Sequence, residues 1–306
     1  MLDSSATFDA PDAAIFVRSA PPWNSCAPSP RVELLGRLDY ADGVRARSLE
    51  RVTSGTRCWL VQRFNVDLAL AFTEDGREVH VFGALVDNLD HVASCIAGPV
   101  PSFLRWLRGW PSLHASSVVV DGCVLAVAGV SGAGKSTTVA ALASRGHRVF
   151  SDDVLGWRNE SAQVLACPGP VRMKLWPDSL AALDMDPKPL PRVRTDLEKR
   201  LLHPPQAGFV DELPLKAVYL LRRDGDAAPG SIREMHGADA FVALKANCRD
   251  DAVLMPAMRA RQFEALGDLA RKVRVCEVRA HSGLARIRDF ADELAADFRR
   301  LPVAAT

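Results

Sequence analysis

The chain has 306 residues, 48% of them hydrophobic and 25% charged, with a formal net charge of +1. That length allows two domains, or one domain with a large extension, and the composition is ordinary for a soluble globular protein. A charge so close to zero provides no field to recruit nucleic acid or an anionic membrane, so neither is expected as a partner and binding must rest on local sites.

The seven cysteines (Cys26, Cys58, Cys95, Cys123, Cys167, Cys248 and Cys276) are scattered, and no two form a C-x-x-C pair. They indicate neither a disulfide framework nor a zinc site, and a reducing cytoplasm is the expected setting. No apolar run reaches the roughly 18 residues of a transmembrane helix. Asp3, Asp9 and Asp12 stand where a secretory signal would be basic and then apolar.

Residues 1–30 are rich in Ala, Pro, Ser and Asp and are expected to be loosely ordered. From Val32 to Phe82, short apolar runs alternate with the turn signals Asp42-Gly43, Ser54-Gly55 and Asp75-Gly76. Cys58–Val61, Leu68–Phe72 and Glu78–Phe82 read as strands, so a small β-rich domain is expected over 31–99. His80, His91 and His236 lack metal-ligand spacing and read as surface or core residues. Between Leu85 and Trp110 the apolar residues fall at helical spacing, broken by Gly98-Pro99 and Pro101, which predicts two helices with tryptophans in the core. Leu113–Val120 followed by the turn Asp121-Gly122 predicts a hairpin leading into the next strand, with His114 at the start of its first arm.

The stretch from Val124 to Asp153 carries the chemistry. Leu125–Ala128 is a short apolar strand, and Gly129-Val130-Ser131-Gly132-Ala133-Gly134-Lys135-Ser136 fits G-x-x-x-x-G-K-[ST] at every fixed position. Polyphosphate must be met by several backbone N–H groups at once, and glycines let the backbone come that close. Lys135 would place its charge between the β- and γ-phosphates, and Ser136 would offer its hydroxyl to Mg²⁺. The N-terminus of the helix through Thr137 would add its partial positive charge. That helix is expected to end at Arg145-Gly146. A following strand, His147–Ser151, is expected to pair parallel to the first across a βαβ crossover, bringing Asp152-Asp153 to the phosphate edge. Two carboxylates there can divide two jobs, one holding Mg²⁺ and the other taking a proton from an attacking hydroxyl. The structural alternative is an acidic pair that caps the next segment.

Leu113-His114-Ala115-Ser116, the Gly-x-Ser-Gly-x-Gly-Lys-Ser loop and Arg145-Gly146-His147 leading to Asp152-Asp153 together resemble the nucleotide domain of bacterial HPr serine kinase/phosphorylase. The chain resembles still more closely the HPr-kinase-related proteins, some of which phosphorylate serine in ribosomally made peptides of the lasso class. Cys167–Ser179, with its Pro-Gly and Leu-Trp-Pro-Asp, extends the resemblance, which covers about residues 85–225. It implies a P-loop kinase with a PEP-carboxykinase-like nucleotide domain, unlike the eukaryotic protein kinases. It also implies a general base at Asp152, a metal or positioning role for Asp153, and a catalytic role for His114, for which a backbone-bonded strand-end histidine is the alternative. The Glu-x-Arg-Gly-x-Gly signature of the HPr enzyme is missing from Val164–Leu175, which counts against HPr as acceptor and against reverse phosphorolysis.

Arg192, Arg194, Lys199 and Arg200 surround Asp196-Leu197-Glu198 and read either as a solvated helix face or as a cationic clamp on phosphate or acceptor. The resemblance favours Lys199 and Arg200, and Arg172 and Lys174 are further candidates for substrate contact. Leu213–Leu221 reads as a buried strand, Ala227–Gly230 as a loop, Gln262–Lys272 as a helix and Val273–Val278 as a strand. Leu284 to Leu301 reads as a helix whose apolar face serves the core or a dimer contact.

The expectation is therefore an α/β P-loop kinase domain over 100–306, preceded by the β-rich domain. It would transfer the γ-phosphoryl group of ATP, with Mg²⁺, to a hydroxyl, foremost a serine of a peptide or small protein. A nucleotide-dependent switch ATPase and a small-molecule hydroxyl kinase remain open. Homo-oligomerisation is left open, as are GTP and pyrophosphate as donors.

Overall fold

The computed structural model describes residues 13–24, 29–39, 46–64, 67–204, 211–223, 228–248, 254–281 and 283–301. Most of the expected loose N-terminus lies outside these residues, as do Asp42-Gly43, Cys26, Ala227 and the side chains of His91 and Cys95. Two compact units divide the chain. One takes Ala10–Trp110 and Asp250–Phe263, the other Pro111–Arg249 and Glu264–Thr306. The division thus falls after Trp110, where sequence reading placed it at 99/100, and a segment from late in the chain joins the first unit.

The first unit holds β1 (Ala14–Val17), β2 (Arg31–Asp39), β3 (Ala46–Ser54), β4 (Arg57–Phe64), β5 (Leu68–Thr73) and β6 (Glu78–Phe82), followed by α1 (Leu89–Ile96) and α2 (Pro99–Leu107). The strands form one sheet in the order β1-β6-β5-β4-β3-β2, an antiparallel meander from β2 to β6 with β1 added parallel to β6. Strand β1 is ordered structure within the stretch expected to be loose. Leu60, Leu70, Phe72, Val79 and Val81 meet Phe103 and Trp106 of α2 in a buried core. Removing such side chains from water stabilises by roughly 1.5–3 kcal/mol each. His80 is buried and bonded to Arg18 and Glu78, so it serves the fold.

The second unit contains β7 (Ser112–Leu113), β8 (Ala115–Val120), β9 (Cys123–Gly129), α3 (Lys135–Ser144), β10 (Arg148–Ser151), β11 (Leu155–Asn159), β12 (Val164–Cys167), β13 (Met173–Leu175) and α4 (Pro177–Ala182). It continues through β14 (Arg192–Arg194), β15 (Leu197–Leu202), β16 (Leu213–Arg222), β17 (Ile232–Met235) and α5 (Gly237–Ala246). Helix α6 (Pro256–Lys272) crosses the division, and β18 (Arg274–Arg279) and α7 (Ile287–Arg299) complete the unit. The main sheet runs β10-β8-β9-β16-β12-β11-β7, with β18 on β16 and β17 on β18. Strands β9, β16 and β18 are parallel neighbours. Strand β9 is apolar throughout because both its faces are covered. Leu125 and Val127 face α3 and α7, whose Val139, Leu142, Phe290, Leu294 and Phe298 are buried there. Val124, Ala126 and Ala128 face α5 and α6, with Leu244, Leu266 and Leu269. The apolar face of α7 thus belongs to the core.

One pairing departs from expectation. Strand β10 does not lie beside β9; β8 lies between them, antiparallel to both. Two antiparallel steps still leave β10 running in the direction of β9, so Asp152 reaches the sheet edge that carries the glycine loop by another route. The hairpin from β8 to β9 turns through Asp121 and Gly122 at φ +49° and +76°, the paired left-handed conformation that matches strand twist. The basic cluster is not a helix face, since β13, β15 and β14 form a separate antiparallel sheet. Among the described residues no helix is long and apolar enough to cross a membrane.

Candidate functional site

The loop between β9 and α3 is built by its backbone. Gly129, Gly132 and Gly134 have φ of +147°, +82° and +107°. A Cβ on Gly129 would stand 2.9 Å from the Leu221 carbonyl oxygen and 3.1 Å from the Ala133 Cβ, so a side chain there would push the loop off β16. Ala133 N–H closes the turn onto the Val130 carbonyl at 3.0 Å, and Thr138 N–H makes the first helical bond to Gly134 at 2.8 Å. The Lys135 ammonium is buried and donates to the Gly129 and Val130 carbonyls at 2.8 and 3.2 Å. The Thr137 hydroxyl donates to Ser179 at the head of α4 at 3.1 Å. Val130 and Ser131 form the outer rim of the loop and are exposed. At the far end of α3, Gly146 N–H bonds to Ala143 and His147 N–H to Leu142, a glycine-terminated stop that fixes the helix length.

Asp152 lies against this loop and is buried. Its Oδ1 accepts from the Ser136 hydroxyl at 3.0 Å and from the Ser116 hydroxyl at 2.6 Å. Its Oδ2 is buried without a hydrogen-bond partner. Burial pushes the carboxyl above its ordinary pKa range and the Asp153 charge adds to that, while the two serine hydroxyls and Lys174 oppose it. Asp153 has the left-handed φ of +73°, which turns its side chain away from that of Asp152 toward His114 and Lys174. His114 Nδ1 donates to the Asp153 backbone oxygen at 2.9 Å and lies 3.2 Å from Oδ1. The Lys174 ammonium lies 3.4 Å from Oδ2. Behind the pair, Asp152 N–H bonds to the Pro170 carbonyl at 2.9 Å, and a Cβ on Gly169 would meet Ser151 and Val154 at 3.0 Å. The Cys167–Pro170 segment therefore needs its glycine to pack beneath the acidic pair.

Of the expected substrate-contacting residues, two come to the acidic pair. Lys199, on β15, sets its ammonium 5.3 Å from the centre of the Trp176 ring. Burial holds that ammonium below its ordinary pKa, Lys174 acts in the same direction, and Asp153 and Asp152 oppose. Lys174 and Lys199 thus form one cationic wall beside Asp153. Arg200 turns elsewhere, to the Leu190 carbonyl and Glu198, and Arg192 and Arg194 pair with Glu198 and Asp196. Arg172 is exposed.

Ser116 is the residue whose role sequence reading missed. It stands two positions after His114, and on a strand residues two apart share a face. His114 itself lies in a bend between β7 and β8, not at the start of a strand as the sequence suggested, and only Ser116 of the two is on β8; both reach the acidic pair.

Among the described residues no group of three or more His, Cys, Asp or Glu forms a cage for a metal ion. Mg²⁺ does not require one, since it is commonly held by one or two carboxylates plus substrate phosphates. The Ser136 hydroxyl and a carboxylate of the acidic pair are hard oxygen donors of the kind it takes, so the residue types present fit the ion.

No family model matches the chain. It is 28% identical over 151 residues to the HPr kinase/phosphorylase of Bacillus cytotoxicus, covering 47% of this chain and 48% of that protein. It is 27% identical over 151 residues to the protein of the same name from Bacillus cereus. The chain spans about half the length of the curated relatives it matches. Among solved structures, the HPr(Ser) kinase/phosphatase of Coxiella burnetii aligns with 61% of this chain and 95% of its own, at 14% identity and a TM-score of 0.37. Over about half of its length the chain is thus similar in sequence to proteins named HPr kinase/phosphorylase.

Proposed function

We propose that this protein transfers the γ-phosphoryl group of ATP to a hydroxyl, foremost a serine of a peptide or small protein. The observation that carries the reading is the 3.0 Å contact between the P-loop Ser136 and the buried Asp152, which sets a phosphate cradle and a carboxylate on one edge of the sheet. Similarity to proteins named HPr kinase/phosphorylase supports a phosphoryl-transfer enzyme, and the absent Glu-x-Arg-Gly-x-Gly signature favours an acceptor other than HPr.

The loop N–H groups and the α3 N-terminus bind the phosphates, and Lys135 leaves the loop carbonyls to meet their charge. Ser136 and Asp153 would hold Mg²⁺, which when bound neutralises the phosphate oxygens. Asp152 takes the proton of the attacking hydroxyl on Oδ2, while Ser116 keeps Oδ1 in place. Burial and the Asp153 charge raise the pKa of Asp152 above the ordinary carboxylate range, the direction that makes it a stronger base. His114 locks the Asp153 backbone, and Lys174 and Lys199 offset charge where the acceptor enters. Catalysis is then mostly positioning and electrostatic stabilisation.

One observation favours a second assignment of the two carboxylates. The Ser136 hydroxyl, a metal-side group in a P-loop, bonds to Asp152 and not to Asp153, which would put Asp152 on the metal and Asp153, the more open of the two, on the proton. The function itself is tested by incubating the full chain with ATP, Mg²⁺ and a peptide encoded beside its gene. A mass gain of one phosphoryl group on the peptide is expected; phosphate release with no acceptor modified would favour a switch ATPase.

A further inference from the structure

Strand β16 runs parallel to β9 with Leu221 in register with Gly129. Where β9 gives way to the phosphate loop, the neighbouring chain therefore still has Arg222 and Arg223 to place. Leu221 packs in the core on the α3 side of the sheet, alternation sends Arg222 to the other side, and Arg223 stands in a bend just past the end of β16. Arg222 lies 3.9 Å from Glu277. Arg223 is exposed, and its Nη2 comes within 3.9 Å of where a Cβ on Gly134 would stand. Gly134 is the residue immediately before Lys135 and carries no side chain to hold the guanidinium away. Among the described residues no carboxylate or carbonyl engages that guanidinium.

We propose that Arg223 is a further phosphate-binding residue of this site, its guanidinium closing on the terminal phosphates of the nucleotide from the β16 side of the loop. This rests on the nucleotide-binding reading above. A planar guanidinium can engage phosphate oxygens in a fork of two N–H donors, which Lys135, a point charge, cannot do. It therefore adds both charge and orientation where charge spreads over the transferred phosphoryl group. Arg223 follows the end of β16, far along the chain from the loop, so no local motif announces it.

The test uses the full chain with Mg²⁺, titrated with ATP and with ADP, with phosphate release from ATP measured alongside. Arg223→Ala should weaken ATP binding about 10- to 100-fold, the range for hydrogen bonds to charged groups, and ADP binding by less. Arg223→Lys should recover part of the loss, and Arg222→Ala should change neither affinity. Arg223→Gln, which keeps most of the side-chain volume, guards against a folding artefact, with circular dichroism read on every variant. If Arg223→Ala and Arg223→Gln keep wild-type ATP affinity and turnover while Lys135→Ala loses them, this inference fails and the nucleotide reading stands. If the wild-type chain binds no ATP, both fail.

Discussion

Replacing Asp152 by Asn separates chemistry from binding. The amide oxygen of Asn can accept the same bonds from Ser116 and Ser136, now 2.6 and 3.0 Å from Oδ1, so the backbone and the loop should stay in place. What is lost is a group able to take a proton, and general-base assistance is worth about 10²–10⁴-fold. At about 1.4 kcal/mol per tenfold, that is roughly 3–5 kcal/mol of transition-state stabilisation. Mg·ATP affinity should change little, whereas Asp153→Asn should weaken the Mg²⁺ dependence of binding. A linked effect on stability runs the other way. Burial and Asp153 raise the folded-state pKa of Asp152 above its unfolded value. The stability tied to that proton is fully present below the unfolded value and is lost as pH rises through the folded one. Asp152→Asn should therefore melt higher than wild type at neutral pH and no higher below about pH 4, the ordinary carboxylate range. The assays are nucleotide titration with and without Mg²⁺, transfer of labelled phosphate, and melting curves at both pH values. Loss of metal-dependent nucleotide binding in Asp152→Asn, with Asp153→Asn losing only chemistry, would refute the assignment and exchange the two carboxylates.

Lys135→Ala should cost at least about 10²-fold in turnover, as removal of one electrostatic stabiliser does. Because Lys135 is buried against the Gly129 and Val130 carbonyls, nucleotide titration should also show weakened binding. His114→Ala should lower the rate more than the melting temperature, since its bonds go to Asp153; a lower melting temperature with unchanged turnover would make it a strand-end structural residue. Gly129→Ala, at φ +147° with the Leu221 oxygen 2.9 Å from the new Cβ, should destabilise by about 1–3 kcal/mol and weaken nucleotide binding. Denaturant melts and ATP titration check both parts.

What was legible in the sequence is what local backbone chemistry determines. The loop glycines, the stop at Gly146 and the Asp121-Gly122 hairpin each concern residues a few positions apart, and each appears where the sequence puts it. The place of β10 was not legible in that way. Once β8 folds back on β9, one flank of β9 is taken, and the other is filled by β16 from much later in the chain. The strand after α3 is left only the outer side of β8, which local propensity cannot reveal. The basic cluster misled for a related reason. Its alternating charges suit a helix, but pairing with β13 across the intervening α4 makes it a sheet, and tertiary pairing overrides local preference.

The two halves of the site inherit this difference. The proposed phosphate cradle is one strand, one loop and one helix, so eight consecutive residues specify it. The wall beside Asp153 combines His114 from just before β8, Lys174 from β13 and Lys199 from β15, and none of the three is near the others in sequence. Residues that meet only through long-range pairing carry no spacing rule, so each can be replaced without disturbing the cradle. The loop, by contrast, keeps every fixed position of G-x-x-x-x-G-K-[ST] in one run from Gly129 to Ser136.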